Sequence, residues 1–230
     1  WSFIVGAMIL AINFMMLLPL KFPKQIVKMT VQDNQKSSKL KAAQIALMTL
    51  LSVYGFTAMA LMIHFTQWIS LFAVNVLNMS HLAAHFVLSL YSVGSIIGVL
   101  VMFMVMQKEW VPDRYLIIIL NALAFLSLGI ICFVPQHQVV NIAAFVFGAT
   151  AASGVMQIGL NIFLRLFPYM KGRITAIFFS FGSVASFTVP IMTGMLSQMS
   201  IAITLRSNLV VAAINLLLCV GVSLLLKKKV

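Results

Sequence analysis

Runs of about twenty apolar residues, separated by short basic stretches and free of aspartate and glutamate, dictate what this chain can fold into. A helix needs about 20 apolar residues to cross about 30 Å of hydrocarbon, where backbone polar groups must satisfy one another. That ruler predicts helices over Trp1 to Leu20, Ala42 to Phe65, Leu82 to Met106, Tyr115 to Val134, Val139 to Leu164, Ile174 to Leu196 and Asn208 to Leu226. The expected fold is an all-α polytopic membrane protein with seven transmembrane helices. Composition agrees, with 63% hydrophobic and 8% charged residues and a mean hydropathy of +1.12, far outside the balance of a soluble domain.

Organisation follows from the gaps. Residues 1–20 form one predicted span and residues 21–41 a basic linker with six Lys and little to bury, carrying a short amphipathic stretch around Gln25 to Val31. Residues 42–230 hold six further spans. The stretch Thr66 to Ser80 is too apolar for an ordinary loop, so it extends the second helix past Trp68 or lies in the interface. Outer loops of about four residues at Pro135 to Gln138 and about eleven at Ser197 to Ser207 leave no room for a catalytic domain outside the membrane. The chain begins at Trp1, already inside an apolar run without the basic start and cleavage site of a signal peptide, and reads as a fragment whose N-terminal portion is missing.

Charge sets the expected orientation. Fourteen of the fifteen Lys and Arg fall in one set of loops and Arg206 alone in the other, which predicts a cytoplasmic C-terminus. The net charge of +12 therefore reads as topology signals and contact with anionic lipid, not nucleic-acid binding.

Chemistry is bounded by what the spans lack. The acids are Asp33, Glu109 and Asp113, all in loops, so carboxylate proton relays, paired acid–base catalysis and a carboxylate-ligated metal are not available at membrane depth. Cys132 and Cys219 lie in separate spans without metal-ligand spacing and read as small buried hydrophobes. His81 and His137 fall in outer loops and His85 near an interface, while His64 reads either as a hydrogen-bonded packing residue or as a proton or substrate ligand. No metal, no cofactor and no enzyme activity is expected.

Polar residues inside the spans are the remaining signal. Thr150, Ser153, Gln157 and Asn161 recur at spacings of three and four, one face of a helix. Burying such groups unpaired costs a few kcal/mol each, so they face protein, water or solute. Ser52, Thr57, His64 and Gln67 make a looser seam, with Tyr54 and Trp68 as candidate aromatic walls, while Asn13, Asn121 and Asn215 look isolated and structural. Ser180, Ser183, Ser186, Pro190 and Gly194 form a small-residue seam, with Pro190 flanked by Gly182 and Gly194 as a candidate bending point. Gly94 and Gly98 form a GxxxG that lets two helices approach closely, within the bundle or against another half.

These features together resemble a known family. One helix, a long basic linker and six helices closing in the cytoplasm resemble the sixth helix, central loop and C-terminal half of a major facilitator superfamily (MFS) transporter. Ser89 to Gly98 resembles its eighth helix and Phe181 to Gly194 its eleventh, with Phe167-Pro168 and Lys171-Gly172-Arg173 between its tenth and eleventh, and Lys108 to Arg114 similar to its basic signature between the eighth and ninth. The resemblance implies alternating access about a midplane cavity lined by the helices from Ala42 and Val139. Those from Leu82 and Ile174 would meet the other half.

The sequence thus points to a permease of a small polar or organic solute, with or without a coupled ion, in the bacterial plasma (inner) membrane. Its expected partners are the bilayer and the N-terminal half of the same transporter. Uncharged Gln, Asn, Ser and Thr suit sugars or hydroxylated organic acids. The alternative is a non-transporting scaffold or assembly subunit whose polar seams only join helices.

Overall fold

The computed structural model describes residues 8, 11–12, 14–16, 42–134 and 136–227. The linker 21–41, Asn13 and most of the first predicted span lie outside them, although the described residues of that span are helical. The chain divides into two compact units, 1–39 and 40–230. Among the described residues, six helices are long and apolar enough to cross a membrane, against seven predicted spans. They are α1 (Ala42–Asn75), α2 (His81–Gln107), α3 (Asp113–Phe133), α4 (His137–Leu166), α5 (Lys171–Ser197) and α6 (Ile201–Lys227).

Local chemistry sets the helix ends. α1 continues through the apolar stretch after Phe65 to Asn75, and the chain then turns at Asn78 with φ of 53°, a left-handed conformation that asparagine tolerates. The Ser80 hydroxyl caps α2 by accepting from the Ala83 N–H at 3.3 Å. Asp113 sits in the first turn of α3, where a carboxylate suits the positive end of the helix dipole. His137, expected in a loop, opens α4 and bonds the Leu77 carbonyl at 3.1 Å. α5 runs without interruption through Pro190. The largest departure at a helix start is α6, which begins at Ile201 instead of Asn208 and so takes up most of the expected eleven-residue loop.

α4 is not one uniform helix. Its middle, Gly148–Val155, is a π-helix between α-helical halves, in which hydrogen bonds span five residues instead of four. This widened segment lies against α2 with the two backbones in close approach. A Cβ on Gly94 would strike the Phe145 carbonyl, and one on Gly98 the Ala149 backbone and the Ser153 hydroxyl. The GxxxG face is therefore consumed inside the bundle. Just beyond it, Phe65 of α1, Tyr91 of α2 and Phe147 of α4 pack with ring centroids 5.0, 4.4 and 6.0 Å apart, joining three helices through buried aromatic area. Cys132 and Cys219 are buried free thiols.

Gly98 and Gly182 should respond differently to an added methyl. Gly98→Ala is expected to destabilise the protein by about 1–3 kcal/mol through overpacking. Gly182→Ala, whose Cβ would meet nothing nearer than 3.7 Å, should stay within about 0.5 kcal/mol of wild type. Denaturation of the purified full-length protein measures both, and equal losses would contradict this packing.

Candidate substrate-lining surface

The π-segment breaks the predicted polar stripe of α4 in two. A wheel drawn at 3.6 residues per turn places Thr150, Ser153, Gln157 and Asn161 on one face, but the wider π-turns rotate the residues after them relative to the residues before. Thr150 and Ser153 are buried, and their hydroxyls donate to carbonyls four residues back, Val146 at 2.8 Å and Ala149. Gln157 is exposed and Asn161 half-buried. The α1 seam divides likewise: Ser52, Thr57 and His64 are buried, while Gln67 is exposed. Ser52 satisfies itself on the Met48 carbonyl at 2.8 Å.

Of the buried members, Thr57 and His64 enter two interhelical networks that the sequence did not assemble. In the first, hydrogen bonds run head to tail through the bundle. The Thr57 hydroxyl donates to Asn215 Oδ1 at 2.6 Å, Asn215 Nδ2 to Asn121 Oδ1 at 2.7 Å, Asn121 Nδ2 to Tyr54 Oη at 3.2 Å, and Tyr54 Oη to the Val155 carbonyl at 2.6 Å. The chain links α1, α6, α3 and α4 and ends on the last residue of the π-segment. Tyr54 is seated in a notch there, because a Cβ on Gly159 would collide with its ring. Asn121 and Asn215, expected to be isolated, are the centre of this network, and Tyr54 is a fully buried tie instead of a cavity wall.

The second network joins α1 to α6 nearer the other end. Asn208 Nδ2 donates to the Leu61 carbonyl at 3.1 Å, and His64 Nε2 bonds the Thr204 carbonyl at 2.7 Å. With Thr57 and Asn215, these contacts advance along α1 as they retreat along α6, the pattern of an antiparallel pair. His64 is thus hydrogen-bonded to α6 and 2% exposed.

What remains reachable is a smaller polar surface. Met59 of α1 and Met156 of α4 converge on Gly182 of α5, each within 3.7 Å of where its Cβ would be. Gln157 adjoins Met156, and Gln67 lies two turns beyond Met59 on the same side of α1. Ser180, Ser183 and Ser186 are exposed on α5, with Pro190 and Gly194 half-exposed on the same seam. Amides and hydroxyls over a floor of methionines can donate and accept hydrogen bonds without charge.

A charged cluster stands at the end of the bundle where α3 begins and α4 finishes. Arg165 pairs with Asp113 at 3.2 Å and reaches Glu109 at 3.8 Å, and Asn161 donates to the same Asp113 carboxylate at 3.1 Å. Arg165, Asp113 and Glu109 border a cleft of about 220 Å³ with Val111 and Pro112. Asn161 therefore belongs to this cluster and not to the membrane-depth stripe. The sequence held both partners but gave no sign that segments 48 residues apart, at Asp113 and Asn161, meet here.

Comparison with known proteins identifies the scaffold: a model of the Major Facilitator Superfamily matches residues 1–190. The chain belongs to the major facilitator superfamily. It is 35% identical to the Inner membrane transport protein YdiM of Escherichia coli (strain K12), across 100% of this chain and 57% of that protein. It is 30% identical to the Inner membrane transport protein YdiN of the same strain, across 87% and 48% respectively. It is 29% identical to the Uncharacterized MFS-type transporter YfkL of Bacillus subtilis (strain 168), across 86% and 50%. The chain spans about half the length of the curated relatives it matches. In MFS terms, the family match covers α1 to α4 and runs into α5 as far as Pro190.

Removing one member of the head-to-tail chain strands its neighbours. Asn121→Leu leaves Asn215 Nδ2 without its acceptor and takes from Tyr54 Oη its donor, while Tyr54 keeps the Val155 carbonyl, an expected loss of about 1–3 kcal/mol. Adding Asn215→Leu should cost less than the sum of the two single losses, because the second change removes a group already orphaned. Strict additivity in a double-mutant cycle would show that the two carboxamides do not interact.

Proposed function

We propose that this chain is the sixth helix and C-terminal half of a secondary transporter that moves a small uncharged or hydroxylated solute by alternating access. The observation that carries the reading is the polar surface on α1, α4 and α5, where Gln67, Gln157, Ser183 and Ser186 stay exposed while the other membrane-depth candidates are hydrogen-bonded inside the bundle. In a soluble protein exposed amides need no explanation; at membrane depth they need water or solute. The MFS relatives named as transport proteins support the same reading.

The exposed apolar faces fit this division of labour. Phe86, Val93, Ile96, Leu100 and Phe103 recur at spacings of seven, three, four and three along one face of α2, and Phe187 and Ile191 extend from α5. By the family pattern these helices meet the other half, so the polar surface between them closes into a cavity. The Arg165–Asp113–Asn161 cluster joins the α2–α3 connection to the end of α4 and acts as a latch on that side. Lys108, Arg114, Arg165, Lys171 and Arg173 gather at the same end, which the positive-inside rule places in the cytoplasm. The two Escherichia coli relatives are named as inner membrane transport proteins, which supports the same location for this chain.

Flux through the full-length carrier tests the proposal. Proteoliposomes are expected to show saturable counterflow of at least one hydroxylated solute, with Gln157→Ala raising KM about tenfold through the loss of one solute hydrogen bond. No counterflow of any solute under any gradient would favour the scaffold reading. Because His64 is spent on the Thr204 carbonyl, His64→Gln should leave the pH profile of flux unchanged. A lost pH dependence would assign proton coupling to that residue instead.

A further inference from the structure

A groove on the outside of the bundle fits a lipid better than it fits a helix. It lies between Leu123, Leu126, Ser127 and Ile130 of α3 and Val139, Ile142 and Val146 of α4, with a volume of about 330 Å³. Its one polar side chain, Ser127, turns its hydroxyl back to the Ala124 carbonyl at 3.0 Å, so the lining offers no unpaired polar group to a partner. Leu123 is at the middle of the 21-residue α3, and the groove rises from there by about 10 Å to Ile130. That is about two thirds of the depth of one leaflet's acyl chains, about 15 Å.

The end of the groove carries a charge. One turn beyond Ile130, Phe133 is exposed, and the guanidinium of Arg206 from α6 lies 5.4 Å from its ring centroid. Arg206 has no acidic partner among the described residues, whereas the cation at the opposite end, Arg165, is held by Asp113 and Glu109. A stack on an aromatic face leaves the donor edge of a guanidinium free for an oxyanion. An apolar slot within one leaflet, with a cation stacked on an aromatic ring one turn beyond its end and no acidic partner among the described residues, is complementary to a single molecule bearing a fatty chain and a phosphate.

We propose that the α3–α4 groove and Arg206 form a binding site for one anionic phospholipid of the leaflet on that side, its phosphate on Arg206 and one acyl chain between the two helices. Bound there, the lipid would bridge α3, α4 and α6 at the end opposite the Arg165 cluster. The proposal is independent of what the protein transports.

Photocrosslinking locates the lipid and separates this site from nonspecific attraction to the basic loops. The full-length protein is reconstituted in vesicles of phosphatidylglycerol and phosphatidylcholine in equal amounts, with a diazirine in the acyl chain of one or the other. Crosslinked peptides are then mapped by mass spectrometry. Phosphatidylglycerol is expected to label residues 123–130 and 139–146 about fivefold more than phosphatidylcholine. Arg206→Gln should equalise the two lipids and Arg206→Lys should keep the preference, while Ile142→Trp, filling the groove from an exposed position, should abolish labelling of these segments by both. Equal labelling by the two lipids in the wild type, or a preference that survives Arg206→Gln, would overturn the assignment.

Discussion

A carboxamide buried in a bilayer has no water to turn to, and the bundle is organised around how four such polar side chains find one another. Thr57, Asn215, Asn121 and Tyr54 pass hydrogen bonds in one direction from α1 through α6 and α3 back to α1, and deliver the last to the Val155 carbonyl of α4. In hydrocarbon each interhelical bond of this kind contributes only about 0.6 kcal/mol on average. The penalty for breaking one is larger than its gain, because the orphaned partner stays buried. The network therefore selects one register for four helices. It also fixes Tyr54 against Gly159, where only a glycine leaves room for the ring.

That anchoring point explains the geometry of the candidate surface. The π-segment Gly148–Val155 meets α2 through Gly94 and Gly98 on one flank and meets Tyr54 at its end. Held at both, it turns Thr150 and Ser153 inward and leaves Gln157 outward. Polar residues that looked equivalent along the sequence thus divide into those buried and hydrogen-bonded within the bundle and those left exposed. The charged group around Asp113 and Arg165 lies beyond this region, at the end of α4, and connects it to the loop between α2 and α3.

The spans were legible because length and hydropathy suffice to place them, and five of the six helix starts fall close to expectation. The start of α6 was not. Thr204, Arg206 and Asn208 lower the local hydropathy to that of a loop, yet this stretch is a helix bonded to α1, through the Thr204 carbonyl to His64 and through the Asn208 amide to Leu61. Likewise, Asn121 and Asn215 were visible as polar residues in apolar helices, so partners were required, but helix-to-helix register is not written in either helix alone. The α4 stripe failed for a different reason: the wheel assumed one period throughout, and the glycine- and alanine-rich run from Gly148 to Gly154 adopts another.

The division between buried and exposed polar residues is the central claim, and cysteine accessibility tests it most directly. In the full-length carrier with Cys132 and Cys219 replaced by alanine, single cysteines at Gln67, Gln157, Thr57 and Ser153 are exposed to a membrane-impermeant thiol reagent. The account predicts reaction at positions 67 and 157, slowed by transported solute, and none at 57 and 153. Reaction at 57 and 153 with 67 and 157 inert would place the aqueous path on the opposite side of α1 and α4 and contradict it.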